Sequence, residues 1–343
     1  MKFRQVALES IAYVLPDRVW TSKLIEQKLA PLYKRLNLPQ GRLEMMTGIK
    51  ERRFWSSSIT PSKASALAGE KVLKATKIAR QKIDLLIHCG VCRDRLEPAT
   101  ASYVHKMLSL PNHTQFLDIS NACLGFLNAV VLAAGLIESG QIKNALLVSG
   151  EDGKPLIENT VKTLLDTPLS RQEIKPYFAN LTIGSGAVAA ILSHSDQVSS
   201  EAPRISHAKV FSNSKVGDLC QGDTAGNNGL LMQTHSEALL DAGIALAKEN
   251  WRSFLEETGW VPDTPNRILT HQVGIAHQKR LFEALKIDPH KDYVTYPFLG
   301  NVGSVSLPLT LAHAIENEAI QPDDLVALLG IGSGLSSIMI SLC

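Results

Sequence analysis

The sequence predicts an α/β protein made of two duplicated halves, each a largely parallel sheet covered by helices. Short apolar runs with the composition of buried strands alternate with apolar helical segments. The same order of elements then returns further along the chain, so that His88 and His271 occupy matching places 183 positions apart. A length of 343 residues with 45% hydrophobic side chains is sufficient for a large core.

The first half contains a β-α-β pattern. Strands are predicted at Asp84–Val91 and Gln115–Ile119, followed by a helix over Cys123–Glu138 and a strand at Asn144–Ser149. The helix is apolar on nearly every face, which is typical of a helix that is buried all round. We expect the connected strands to be parallel and the crossover to be right-handed.

The second half repeats this pattern. Strands are predicted at Arg267–Val273, Asp292–Tyr296 and Asp324–Leu329, with a helix over Ser304–Glu318 before the last strand. Pro308 is compatible with that helix because it falls in the first turn, where no backbone N–H is needed.

The two halves join in a polar stretch, His194–Arg204, which gives an N-terminal half of residues 1–195 and a C-terminal half of residues 196–343. Another helix is predicted over Thr234–Glu257. The segment Phe211–Gly229, which ends in an Asn-Asn-Gly turn, is expected to be a long loop.

Composition excludes several classes of protein. The net charge of +2 argues against a nucleic-acid or anionic-membrane partner. The apolar stretch Leu124–Ile137 is too short to span a bilayer, and Met1–Val19 lacks the apolar core of a signal peptide. Five cysteines, an odd number, fit free thiols in a reducing compartment. We therefore expect a cytoplasmic protein without a transmembrane segment.

Metal and cofactor sites are not expected either. Cys89 and Cys92 have the C-x-x-C spacing of redox and zinc sites, but no second ligand pair with suitable spacing accompanies them. Gly184-Ser-Gly-Ala-Val-Ala189 fits the glycines of a dinucleotide fingerprint, but it has no convincing preceding strand and is itself predicted to be a strand. The prediction is no metal and no bound cofactor.

Cys123 is the strongest candidate nucleophile. A thiol in the first turn of a buried helix lies where free N–H groups and the helix dipole favour an anion. This effect is worth up to about 2 kcal/mol, which would lower a thiol pKa from about 8.5 to about 7.5. A small core cysteine is the alternative interpretation of this residue.

His271 and Asn301 are candidate partners of Cys123. All three fall at strand ends or strand-to-helix corners, and ligands bind outside the carboxyl ends of strands in such sheets. We therefore expect the three side chains to converge, although either histidine of the repeat could equally be a core residue.

Three motifs resemble those of the thiolase superfamily: Asp118-Ile-Ser-Asn-Ala-Cys-Leu-Gly-Phe126, Thr270-His-Gln-Val273 and Gly300-Asn-Val-Gly-Ser304. Thr47-Gly-Ile-Lys-Glu-Arg-Arg53 is similar to an early motif of the ketoacyl synthase III branch. Within that branch the chain most resembles the OleA family, the acyl-CoA condensing enzymes of long-chain olefin biosynthesis, on Arg93-Asp-Arg-Leu-Glu-Pro-Ala-Thr100, Leu219-Cys-Gln-Gly222 and Leu328-Leu-Gly-Ile-Gly-Ser-Gly-Leu335.

The resemblance implies a thiolase-like five-layered αβαβα fold, a homodimer and a Claisen condensation between acyl-CoA substrates. Cys123 would take an acyl group from a first thioester, and the N–H groups of Cys123 and Ser333 would form the oxyanion hole. His271 and Asn301 would donate hydrogen bonds to the carbonyl of the second thioester as it becomes an enolate.

Glu97 distinguishes this reaction from close alternatives. Condensation of two simple acyl thioesters requires a base for an α-proton, whereas decarboxylation of malonyl-carrier protein does not. In the OleA family a glutamate in this motif reaches the partner subunit's site. The alternatives are a ketoacyl synthase III that uses malonyl-acyl carrier protein, and an acyl-binding scaffold without catalysis.

Two positions depart from the resemblance. No tryptophan accompanies Met45-Met-Thr-Gly48, where many carrier-protein synthases stack one against the adenine of coenzyme A. Ser185 stands where relatives often carry aspartate.

Overall fold

The computed structural model describes residues 1–223 and 230–343 and has five layers: helices, a sheet, helices, a second sheet and helices. This confirms the predicted fold class. It contains thirteen strands and eleven α-helices in the described residues.

The first sheet has five strands in the spatial order β1-β7-β6-β4-β5. Their bounds are β1 Val6–Val14, β4 Leu85–Cys89, β5 Gln115–Ile119, β6 Asn144–Glu151 and β7 Gly186–His194. The strands β5, β4 and β6 run parallel, whereas β7 is antiparallel to both of its neighbours.

The second sheet has four strands in the order β11-β12-β13-β8. Their bounds are β8 Ile205–Ser212, β11 Arg267–Thr270, β12 Val326–Gly332 and β13 Ser336–Leu342. Only β11 and β12 are parallel. Two small hairpins complete the strands: β2 Arg18–Thr21 with β3 Glu51–Phe54, and β9 Cys220–Asp223 with β10 Leu231–Thr234.

Two buried helices form the central layer: α6 Gly125–Glu138 and α11 Ser306–Glu316. The outer layers are α4 Pro61–Ala75 with α5 Thr100–Met107 on the first sheet, and α8 Ser236–Thr258 with α9 Ile275–Leu285 on the second. The remaining helices are α1 Ser22–Lys28, α2 Ala30–Arg35, α3 Arg42–Thr47, α7 Lys154–Asp166 and α10 Tyr296–Leu299.

The inner strands of both sheets are buried on both faces, as their continuous apolar runs predict, whereas the edge strand β5 is largely exposed. Along β7, Val188 and Ala190 join the central core, whereas Ala187 and Ala189 pack under the outer helices. This alternation follows from the two-residue period of a strand. It leaves the strand ends, rather than the faces, available to a ligand.

Several predicted details are wrong. The sheets are mixed rather than largely parallel, because each continues into antiparallel strands. Asp292–Tyr296 is not a strand: Asp292 forms only an isolated bridge with Ile268, and Tyr296 begins a short helix with proline at its second position.

Phe211–Gly229 is not one long loop either. It includes the end of β8, a 3-10 segment at Ser214–Leu219 and the strand β9. The Asn-Asn-Gly turn lies outside the described residues.

The strands of the first sheet all precede residue 195 and those of the second all follow it. The division into residues 1–195 and 196–343 stays a prediction. Within residues 1–223 and 230–343, none of the helices combines the length and hydrophobicity required to cross a bilayer.

Candidate active site

The predicted site residues lie at the carboxyl ends of the parallel strands. The loop of Glu97 follows β4, Cys123 follows β5, His271 follows β11 and Ser333 follows β12. These ends are where α/β sheets bind ligands. Asn301 lies in the corner between α10 and the 3-10 turn Gly303–Val305.

Cys123 lies in a turn just before α6 rather than in its first turn. Leu124 is the N-cap residue, and its N–H donates to the carbonyl of Asn121 at 2.9 Å. Ala122 has a φ of 46°, in the left-handed region that costs energy for a residue with a side chain. This sharp turn places the thiol at the tip of the central helix.

The predicted lowering of the Cys123 pKa is wrong. Burial, with smaller effects of Glu151 and Cys220, raises the pKa of this thiol to about 12. Removal of a thiolate from water therefore outweighs the favourable helix terminus. The thiol is therefore neutral at physiological pH.

Ser333 is brought against the Cys123 turn by its neighbouring glycine. A Cβ atom on Gly332 would lie 3.0 Å from Cγ of Leu124 and 3.4 Å from its backbone N. Only glycine allows this approach without displacing Leu124. The turn between β12 and β13 can therefore present the Ser333 N–H group beside Cys123.

His271 lies one residue past β11, and its N–H donates to the carbonyl of Leu329 at 3.1 Å. The side chain is buried, and its Nδ1 atom has no hydrogen-bond partner in the described structure. Burial, with a smaller effect of His277, lowers the pKa of His271 to about 3. The imidazole is therefore neutral at physiological pH, with one N–H to donate.

Asn301 has a fixed amide orientation. Its Oδ1 accepts hydrogen bonds from the Gly303 N–H at 3.0 Å and from the Ser306 hydroxyl at 3.3 Å. Since an amide oxygen accepts and an amide nitrogen donates, the Nδ2 group is left to donate elsewhere.

Gln272 joins the histidine to the asparagine corner. Its Oε1 accepts hydrogen bonds from the N–H groups of Thr295 and Tyr296, at 2.9 and 3.2 Å, where the short helix α10 begins. Its Nε2 donates to the carbonyl of Thr270 at 2.9 Å. This neighbour of His271 thus fixes the start of the segment that leads to Asn301.

Within one chain, Glu97 lies apart from the other candidates Cys123, His271 and Asn301. It lies in an exposed loop, next to Leu96, which is 90% exposed. The loop is nevertheless held at both ends. Asp94 accepts from the Ser62 N–H at 2.8 Å, and Asp118 accepts from the N–H groups of Thr100 and Ala101 at 2.7 and 2.8 Å.

Glu151 is a buried carboxylate at the carboxyl end of β6 that the sequence analysis missed. Its oxygens accept from the N–H groups of Val91 and Cys92, both at 3.0 Å, and from the Ser304 hydroxyl at 2.7 Å. Its position at the end of a predicted parallel strand was the signal that could have identified it.

Ser185 has a clear structural role. Its hydroxyl donates to Oδ1 of Asp152 at 3.1 Å and accepts from the Gly153 N–H at 3.0 Å. The shorter side chain thus ties β7 to the turn before α7.

The candidate C-x-x-C pair has no site geometry. Burial raises the pKa of both Cys89 and Cys92. The Cys92 sulfur lies 3.5 Å from the carbonyl oxygen of Asp152, and among the described residues no cluster of metal-ligating side chains occurs.

Comparisons with known families agree with this arrangement. The family model "3-Oxoacyl-[acyl-carrier-protein (ACP)] synthase III" matches residues 117–213, and the model of the C-terminal part of that enzyme matches residues 255–342. The model of the thiolase N-terminal domain matches residues 44–154.

Full-length relatives are more specific. An acyl-CoA:acyl-CoA alkyltransferase from Shewanella oneidensis is 37% identical, with 100% of this chain and 99% of the relative covered. One from Xanthomonas campestris pv. campestris is 34% identical, with 99% and 98% covered.

A solved structure has the same fold. A serine variant of Xanthomonas campestris OleA with bound lauric acid and lauroyl-CoA superposes with a TM-score of 0.94 at 33% identity and covers 99% of each chain. The chain therefore belongs to the OleA family of acyl-CoA:acyl-CoA alkyltransferases, within the thiolase superfamily.

Proposed function

We propose that this protein catalyses an OleA-type Claisen condensation of two fatty acyl-CoA molecules through an acyl-cysteine intermediate. The observation that carries the proposal is the position of Cys123 and His271 just past strand ends, with the thiol beside a close-packed glycine turn, and the hydrogen bonds that leave the Asn301 amide nitrogen as a donor. The lauroyl-CoA bound to the Xanthomonas relative supports the substrate class.

The first step acylates Cys123. Its sulfur attacks the thioester carbonyl of one acyl-CoA, the bond to the coenzyme A sulfur breaks, and the thiol proton passes to the departing coenzyme A. The N–H groups of Cys123 and Ser333 stabilise the oxyanion that forms on the way.

The second step makes the carbon nucleophile. The carboxylate of Glu97 removes an α-proton from a second acyl-CoA, whose carbonyl oxygen becomes an enolate. A neutral imidazole N–H from His271 and the Nδ2 group of Asn301 stabilise that oxygen. Since Asn301 Oδ1 is already occupied by Gly303 and Ser306, the amide presents a donor rather than an acceptor.

The third step joins the two chains. The α-carbon attacks the acyl-Cys123 carbonyl, the carbon–sulfur bond breaks, and the cysteine sulfur recovers a proton as Glu97 returns to its carboxylate form. The product is a 2-alkyl-3-ketoacyl-CoA, which water converts to the β-keto acid and coenzyme A.

A homodimer supplies the base. Glu97 lies in a loop beside β5, the edge strand of the first sheet, and exposed apolar side chains surround this edge: Val91, Leu96 and Phe116, which are 49%, 90% and 44% exposed. Pairing of two copies at this edge would cover them and carry Glu97 into the partner subunit's site.

The protein is further proposed to work in the cytoplasm, where its five free cysteines would stay reduced. A ketoacyl synthase III activity, with acyl carrier protein as a partner, is the second candidate. It is supported by the synthase III family models over residues 117–213 and 255–342.

The Glu97→Gln variant tests the proposal. Wild-type protein given one long-chain acyl-CoA should form a β-keto acid or its ketone. Glu97→Gln should still acquire an acyl mass on Cys123 but lose condensation, and Cys123→Ala should lose both. Glu158→Gln, an exposed glutamate on α7, is the matched control.

Three outcomes would contradict the proposal. Product that appears only after addition of malonyl-carrier protein would identify the synthase III reaction. Free fatty acid as the sole product would rule out condensation. An acyl-CoA that binds without any turnover would indicate a non-catalytic scaffold.

A further inference from the structure

Glu151 has no part in the steps above, yet it is a buried carboxylate within the site, 4% exposed. A buried charge is costly unless hydrogen bonds satisfy it. All the donors that the structure gives Glu151 are neutral N–H and O–H groups, so it is held as a hydrogen-bond acceptor rather than as one half of an ion pair.

Glu151 accepts hydrogen bonds from two separate segments, the loop that follows β4 and the corner that carries Asn301. Oε2 accepts from the Cys92 N–H at 3.0 Å, and Oε1 accepts from the Val91 N–H at 3.0 Å. Both residues belong to the loop that continues to Glu97. Oε1 also accepts from the Ser304 hydroxyl at 2.7 Å, on the corner that carries Asn301.

The two segments differ in how far their hydrogen bonding depends on Glu151. The Ser304 hydroxyl has a second partner, the Ser149 hydroxyl at 2.9 Å. In the described part of the chain, the N–H groups of Val91 and Cys92 donate to Glu151 and to no second acceptor. Loss of the carboxylate would therefore release the loop more than the Asn301 corner.

Other attachments of the loop lie further along the chain. Asp94 holds it to Ser62 at the start of α4, and Asp118 holds its far end at the start of α5.

Closer to β4, the Gly90 N–H donates to the Ile119 carbonyl at 3.2 Å, and the Cys92 sulfur lies 3.5 Å from the Asp152 carbonyl oxygen. Glu151 holds the two residues that follow Gly90, so it helps to set the direction in which the chain leaves the sheet toward Glu97.

We propose that Glu151 is a positioning residue that holds the Glu97 loop for the partner subunit's active site. Its substitution then damages the partner subunit's site more than the site in which Glu151 itself lies. This inference rests on the proposed function.

The Glu151→Gln homodimer provides the first measurement. An amide keeps one acceptor oxygen but turns an N–H group toward one of the backbone donors, so the loop loses a charge-assisted hydrogen bond. Condensation should fall about ten- to hundred-fold while the acyl mass on Cys123 is retained. Hydrogen exchange should accelerate in peptides that cover residues 91–98, and Glu158→Gln should change neither quantity.

A heterodimer experiment shows which of the two active sites loses condensation activity when Glu151 is substituted. The reference pairs a Cys123→Ala chain with a wild-type chain, which leaves one working site whose base comes from the Cys123→Ala chain. Glu151→Gln on the Cys123→Ala chain should lower condensation as in the homodimer. Glu151→Gln on the other chain should lower condensation clearly less, because only the Ser304 contact and the negative charge near Cys123 are lost in that working site.

The outcomes are distinct. The reverse pattern, or equal losses in both arrangements, would overturn the role of Glu151. A reference heterodimer that makes no condensed product would overturn the proposed function, and this inference with it. If Glu151→Gln does not fold, Glu151→Asp keeps the charge with a shorter reach, and it should show the same dependence on chain with a smaller loss.

Discussion

The carboxyl ends of the two sheets meet at the site with different chemistry. The first sheet contributes the thiol of Cys123, the buried carboxylate of Glu151 and the loop of Glu97. The second sheet contributes neutral donors: His271, and Asn301 in the corner that Gln272 fixes. A duplicated scaffold therefore supplies matching locations, and in the proposed mechanism the side chains placed there divide the reaction between nucleophile formation and enolate stabilisation.

The two matching histidines show the same contrast. His88 is the fourth residue of β4, with its Nδ1 atom 3.8 Å from Asp118. His271 lies just beyond β11, where burial, with a smaller effect of His277, lowers its pKa to about 3. A shift past the strand end turns a sheet residue into one that can face a ligand.

The largest expected effect is a loss of condensation without a loss of acylation, which separates the donors of the second sheet from the thiol of the first. Asn301→Ala and His271→Ala should each lower condensation by about a hundred- to a thousand-fold, because each removes one donor to the enolate oxygen. The acyl mass on Cys123 should persist. His290→Ala is the control, since residue 290 lies near Arg267, at the opposite end of β11. Loss of acylation in the Asn301 variant would contradict the division of labour.

The next effect concerns the thiol. Because burial raises the pKa of Cys123 to about 12, its alkylation by iodoacetamide should accelerate about tenfold per pH unit from pH 7 to pH 10. Mass spectrometry of the Cys123 peptide measures the rate, and Cys123→Ser gives the background. A plateau near pH 7.5 would show instead that the helix terminus prevails over burial.

The smallest effect is on stability. Folding lowers the pKa of His271 from 6.5 to about 3, so between these values the unfolded chain binds a proton that the folded chain does not. The free energy of unfolding should therefore fall as the pH falls below 6.5, by roughly 1.4 kcal/mol per pH unit from this group.

His271→Asn should reduce that slope, measured as urea unfolding at several pH values, whereas the exposed His290→Asn should not. His277, whose pKa burial lowers to about 4, contributes a slope of its own in both proteins. Identical slopes in the wild-type and His271→Asn proteins would contradict the neutral, buried state of His271.

Local patterns sufficed for much of this structure. β5 begins and ends at the predicted residues Gln115 and Ile119, because its composition and flanking polar residues define it. Cys123 could be placed at the tip of α6 since an all-apolar helix has to be buried. The position of His271 follows from its strand end in the same way, whereas Ser333 is assigned only through the family resemblance.

Properties that depend on distant segments could not be predicted. The pKa of Cys123 depends on burial by both halves and on Glu151, which is 28 positions away in the sequence. The segment that leads to Asn301 has the composition of a strand. The N–H groups of Thr295 and Tyr296 instead donate to the side chain of Gln272, and the segment continues as the helix α10. Such contacts leave no periodic signal.

The two halves touch backbone to backbone beside Asn301. A Cβ atom on Gly184 would lie 2.2 Å from the Leu299 carbonyl oxygen, and one on Gly300 would lie 2.5 Å from that of Thr182. A side chain at position 184 or 300 would push the two backbones apart and move the Asn301 amide out of its present orientation. Mutagenesis that aims to change which acyl chains are accepted should therefore leave Gly184 and Gly300 unchanged.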